Sequence, residues 1–163
     1  MLRLLLAIVF ARTLADGSWT PLVAFALAAT SDYVDGPLAR RAGGASRYGV
    51  LLDSSADIVF VLVALSAGVV GGRLSWVVPV AIACAAAPYL AATLLRSRAT
   101  GGPARAYSAV GHWAGICNYA LAGLVAGSAA LPGPVWRAML MVASAVVVAL
   151  NLSAVAMRFR PNR

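Results

Sequence analysis

Apolar residues run in long unbroken stretches along this chain, and polar ones are gathered into short gaps between them. Breakers and charges mark off six runs, at residues 2–15, 20–42, 47–70, 75–98, 106–130 and 135–158. The gaps hold Asp16-Gly17-Ser18, Gly43-Gly44, Gly71-Gly72, Gly101-Gly102-Pro103 and Pro132-Gly133-Pro134. Strands of a membrane barrel would show about ten-residue segments alternating apolar with polar. These runs are instead continuous and rich in Ala, Leu and Val, which suits helices that satisfy their own backbone hydrogen bonds in lipid. At about 1.5 Å per residue, all but the first run are long enough to cross a hydrocarbon core of about 30 Å. Pro88 is a candidate kink in the fourth run. The apolar start resembles a signal peptide, but five more apolar runs follow it, so it reads as a first membrane helix. The pattern predicts an all-α integral membrane protein, a bundle of six transmembrane helices in a single domain over residues 1–163.

Composition excludes the soluble alternative. Of 163 residues, 62% are hydrophobic and 11% charged, with a mean hydropathy of +0.87; soluble domains carry about 45–50% apolar and about 25% charged residues. Cys84 and Cys117 lie within apolar runs without metal-ligand spacing, which suits reduced packing cysteines. The net charge of +8 comes from Arg alone, since the chain contains no Lys and no Glu. The arginines form no dense basic tract, so nucleic acid is not an expected partner.

They sit instead at the ends of the runs. Six crossings would put Arg3, Arg40, Arg41, Arg47, Arg96, Arg98, Arg105, Arg158, Arg160 and Arg163 on one side, and Arg12, Arg73 and Arg137 on the other. The positive-inside rule makes the Arg-rich side cytoplasmic, with both termini there and the protein multi-pass in the cell membrane.

The acids are more informative than the bases. Four of the five, Asp32, Asp35, Asp53 and Asp57, flank the gap between the second and third runs. Asp32 and Asp35 share one helical face by their spacing, and so do Asp53 and Asp57. A hairpin joining the two runs brings all four carboxylates towards one point on the cytoplasmic side. Unpaired carboxylates so placed would repel one another by several kcal/mol at reduced dielectric. Protonation of some of them or divalent cations among them would relieve this. All-oxygen ligation suits Mg²⁺ or Mn²⁺, and four carboxylates are about what a two-metal site for displacement at phosphorus needs. Gly36 leaves backbone open beside Asp35, Ala39 keeps that face shallow, Arg40 offers a fork for phosphate, and Gly49 permits close approach one turn before Asp53.

The pattern Asp-x2-Asp-Gly-x2-Ala-Arg-x8-Gly-x3-Asp-x3-Asp resembles the signature of the CDP-alcohol phosphatidyltransferases. Asp32, Asp35, Gly36, Ala39, Arg40, Gly49, Asp53 and Asp57 match it at every fixed position and spacing. Arg3 in the first run also stands where many members have an Arg.

The resemblance implies transfer of a phosphatidyl-type group from a CDP-alcohol to an acceptor hydroxyl, with release of CMP. It assigns Asp32, Asp35 and Asp53 to a metal pair on the CDP pyrophosphate, with Asp57 completing the metal site and taking the acceptor's proton. Gly36 and Arg40 would contact the CDP moiety, with Ala39 and Gly49 lining its site, and Ser46 would add a hydroxyl to a phosphate. CDP-diacylglycerol is the usual donor, membrane lipids are the surroundings, and relatives are commonly homodimers.

Two departures bear on the acceptor. Many relatives read Asp-Pro-x-Ala-Asp-Lys where this chain has Asp53-Ser54-Ser55-Ala56-Asp57-Ile58, and several carry Gly-Lys where this chain has Gly111-His112. Arg96, Arg98 and Arg105 are candidates for an acceptor phosphate, against the plainer reading of topology and headgroup contact. Glycerol 3-phosphate leads as acceptor in phospholipid biosynthesis, with inositol phosphate and phosphatidylglycerol as alternatives. From other classes, an ion- or proton-coupled transporter would use the acids for its cargo, and an inactive relative would serve only as a scaffold.

Overall fold

The computed structural model describes residues 2–41, 47–100, 109–131 and 133–158, with side chains described for all of these except 32–41, 47–50 and 96–100. Among the described residues all regular structure is helical. The helices are α1 (Leu2–Thr13), α2 (Thr20–Arg41), α3 (Arg47–Val70), α4 (Val77–Thr100), α5 (Ala109–Ala130) and α6 (Val135–Arg158), with a 3₁₀ turn at Leu14–Asp16. Each corresponds to one apolar run. Glycines in the left-handed conformation stand at two of the turns, Gly17 (φ 63°) closing the 3₁₀ segment and Gly72 (φ 70°) following α3; only a residue without Cβ enters that region at little cost. Pro88 lies inside α4, which is helical on both sides of it.

Neighbouring helices close a ring, α1–α2–α5–α6–α4–α3 and back to α1, with α3 and α5 also in contact across its middle. The core is built from small residues that let backbones approach, among them Ala24, Ala28, Ala64, Ala122 and Ala126, filled in by Phe10, Phe60, Leu65, Leu121 and Val125. In lipid no water drives helices together, so close packing of small residues and interhelical hydrogen bonds carry the association. One such bond is fully inside the bundle: Asn151 Nδ2 of α6 donates to Asn118 Oδ1 of α5 at 2.8 Å and to the Val147 carbonyl at 2.8 Å. The outer faces are as apolar as the core, with Leu27, Val59, Val80, Ile116, Val142 and Leu152 exposed. That inversion identifies a multi-pass membrane protein.

Among the described residues, four helices are long and apolar enough to cross a membrane: Leu51–Val70, Val77–Leu95, Ala109–Ala130 and Val135–Arg158. These are four of the six helices expected to span, α1 and α2 being the other two. The 12 residues of α1 rise only about 18 Å. The helix α2 is 22 residues long, and its Thr20–Ser31 part is apolar. Both helices pack on the bundle, α1 against α2 and α3, and α2 also against α5.

The asparagine pair makes a stability prediction. Replacing Asn151 by Ala leaves the Asn118 carbonyl side without its partner inside the bundle and should cost about 1 kcal/mol. Adding Asn118→Ala should cost little more. Unfolding by a denaturing detergent, compared for the two single variants and the double, measures this; full additivity would show that the bond contributes nothing.

Candidate active site

The clearest electrostatic feature of the bundle is a buried cation. Arg3, in the first turn of α1, is only 5% exposed although it lies at the start of an apolar helix. Its Nη1 donates to Asp53 Oδ1 at 3.0 Å and to Asp57 Oδ1, forming ion pairs with both carboxylates of α3. Its Nε reaches Ser31 Oγ of α2 at 3.4 Å, while Ser31 in turn donates to the Ala28 carbonyl at 2.9 Å. One guanidinium therefore ties together α1, α2 and α3.

Local helix geometry explains why this works. Asp53 and Asp57 are four residues apart, so successive turns of α3 present their carboxylates on one face. Both Oδ1 atoms converge on the same nitrogen of Arg3. Two carboxylates inside an apolar span are tolerable only when paired, and at an effective dielectric of about 20 each close charge pair is worth about 4 kcal/mol before desolvation is charged against it. Arg suits this position better than Lys would, because its planar fork serves several acceptors at once. The two acids are not sealed in. The Asp53 side chain is 43% exposed and that of Asp57 28%, so the cluster is anchored from inside and accessible from outside.

A fourth helix completes it. The Tyr119 hydroxyl of α5 donates to Asp57 Oδ1 at 3.0 Å. Asp57 thus receives bonds from α1 and α5 on one oxygen, and the central pair α3 and α5 meets at the acid.

Of the residues expected to form the site, the structure brings Asp53 and Asp57 together. Ser31, bonded to Arg3, directly precedes Asp32 in α2. The side chains of Asp32, Asp35, Gly36, Ala39, Arg40, Gly49, Arg96 and Arg98 lie outside the described residues, although their backbones belong to α2, α3 and α4. Ser46 and Arg105 lie outside them altogether.

Three contributors were not identifiable from the acid pattern. Arg3 was marked by its position alone, without a partner. Ser31 looked like an ordinary helical serine. Tyr119 lies in the middle of an apolar run beside Asn118, and a polar pair at membrane depth is the signal that could have found it.

Asp53 and Asp57 supply hard carboxylate oxygens, the donor type that Mg²⁺ and Mn²⁺ select, while the point on which their Oδ1 atoms meet is taken by the Arg3 guanidinium. Among the described residues no three His, Cys, Asp or Glu side chains gather into a metal-binding group; Asp53 and Asp57 are half of the four acids in the pattern.

The family model for CDP-alcohol phosphatidyltransferase matches residues 1–159. No curated protein and no solved structure matches the chain. The matched region takes in Arg3 and Tyr119 as well as the acid pattern.

Removing the cation should be costly. Arg3→Met keeps side-chain length but leaves two carboxylates facing each other, and should lower stability by about 2 kcal/mol after allowance for their partial exposure. A thermal melt in detergent reads this directly. An unchanged melting temperature would mean that Arg3 is incidental to the packing of α1 on α3.

Proposed function

The chain belongs to the CDP-alcohol phosphatidyltransferase family, and we propose that it transfers a phosphatidyl group from CDP-diacylglycerol to glycerol 3-phosphate with release of CMP. Membership makes the chain an enzyme of phosphotransferase type, acting on a CDP-alcohol donor and an alcohol acceptor in a membrane. The finer choice of donor and acceptor is the proposal. The observation that supports transfer chemistry at the acids is that Asp53 and Asp57, the second half of the acid pattern, are held together by Arg3 with their side chains partly exposed.

In this reading Asp57 accepts the proton of the acceptor hydroxyl. The freed oxygen forms a bond to the β-phosphorus, the bond from that phosphorus to the bridging oxygen breaks, and CMP departs with the electron pair. The family is generally dependent on divalent metal; Asp32, Asp35, Asp53 and Asp57 would hold Mg²⁺ or Mn²⁺, which supplies Lewis acidity at the pyrophosphate. Gly36, Ala39, Arg40, Ser46 and Gly49 would receive the CDP moiety, and Arg96, Arg98 and Arg105 the acceptor phosphate. The ring of helices leaves the lipid tails of the donor free to lie along its apolar outer face while the headgroup enters at the acids.

The remaining elements of the proposal concern placement. One domain over residues 1–163 crosses the cell membrane six times, with α1 and α2 completing the bundle by packing against the four apolar helices. The Arg-rich end, holding both termini and the acids, faces the cytoplasm, where CDP and water-soluble acceptors reside. Two copies form the working unit.

The division of labour among the acids gives the test. Asp57→Asn should abolish CMP release while largely sparing CDP binding, whereas Asp35→Asn should lose metal and CDP together. Turnover with CDP-diacylglycerol, set beside calorimetric CDP binding in Mn²⁺, separates the two. Equal CDP affinity in both variants would overturn the assignment, and retained turnover in Asp57→Asn would remove it as the base.

A further inference from the structure

Tyr119 belongs to no part of the acid pattern, yet its hydroxyl ends on the acid assigned to proton transfer. Four rings from four helices set its position. The Tyr119 ring stacks on Phe60 of α3 with centroids 5.8 Å apart and planes at 16°. It is tilted against Phe25 of α2 at 6.3 Å. Phe60 meets Phe10 of α1 edge-on at 6.1 Å, and both of these are fully buried. Gly123, one turn after Tyr119 on α5, makes room for the column, since a Cβ there would stand 2.9 Å from the Phe25 ring.

A phenylalanine at position 119 would satisfy every one of these ring contacts. Packing therefore accounts for the ring and leaves the hydroxyl to be explained by what it touches. A hydroxyl carried into a bundle costs free energy unless bonded, and here it is bonded to Asp57 Oδ1 at 3.0 Å, the oxygen that Arg3 also holds. Two donors therefore meet on one oxygen, arriving from α1 and α5.

We propose that Tyr119 is a positioning residue for Asp57, its hydroxyl holding the carboxylate in the orientation that receives the acceptor's proton. This rests on the reading of Asp57 given above. The aromatic column makes the arrangement stiff: α2 and α3 each contribute a ring that Tyr119 would have to displace before its hydroxyl moved, and Phe10 of α1 backs the second of them. Orientation of a reacting group is where small displacements carry large rate effects.

The test is Tyr119→Phe in detergent-purified protein, read by CMP release, CDP binding in Mn²⁺ and thermal melting. Loss of orientation alone should lower kcat by about 30-fold while KM for the donor stays within about twofold. CDP affinity and the melting temperature should hold. Wild-type kcat in Tyr119→Phe, or parallel changes in KM and melting temperature, would overturn the role, as would failure of the variant to fold, since the ring contacts are retained. If wild-type protein released no CMP from any CDP-alcohol and bound no CDP, the reading of the site itself would fall, and this inference with it.

Discussion

A positive charge taken into an apolar bundle must be matched there, and the match between Arg3 and the carboxylates of Asp53 and Asp57 is what the rest of the structure is arranged around. It binds the short first helix to the bundle. At 12 residues α1 has too little apolar length to be held by lipid alone, but it carries a guanidinium that reaches both α2 and α3. The same contact solves a second problem: the carboxylates of Asp53 and Asp57, one turn apart, would repel one another if left bare. One buried residue thus serves assembly and site together.

The neighbouring packing follows from that constraint. Ala24 and Ala28 on α2, Ala64 on α3, and Ala122 and Ala126 on α5 are buried to within 2%, so the helices around the acids approach closely. Below the carboxylates the space is filled by aromatic rings rather than aliphatic chains. Rings have few rotamers, and those of Phe10, Phe60, Phe25 and Tyr119 lock against each other across four helices. The acids therefore rest on a stiff platform while their outer sides remain open. Further out, Asn118 and Asn151 join α5 to α6 by a buried bond, which extends the same logic of polar contacts where lipid offers none.

Much of this was legible in the order of residues. Each apolar run became a helix with ends close to those expected, because Gly and Pro clusters stop helices regardless of what packs against them. The pairing of Asp53 with Asp57 on one face followed from their spacing. The contacts of Arg3, Ser31 and Tyr119 with one another's partners were hidden because they cross 28 to 62 positions of chain. Local periodicity carries no information on which of several helices meet, and that is set by the complementarity of whole faces.

The account turns on the proposal that the four acids together hold divalent cations. Titration of the purified protein with Mn²⁺, followed by electron paramagnetic resonance, measures that most directly. Two bound ions per chain showing mutual spin coupling, as expected of metals about 3.5–4 Å apart, and lost in Asp53→Asn, is the predicted result. Free Mn²⁺ throughout the titration, or binding unaffected by Asp53→Asn, would contradict it.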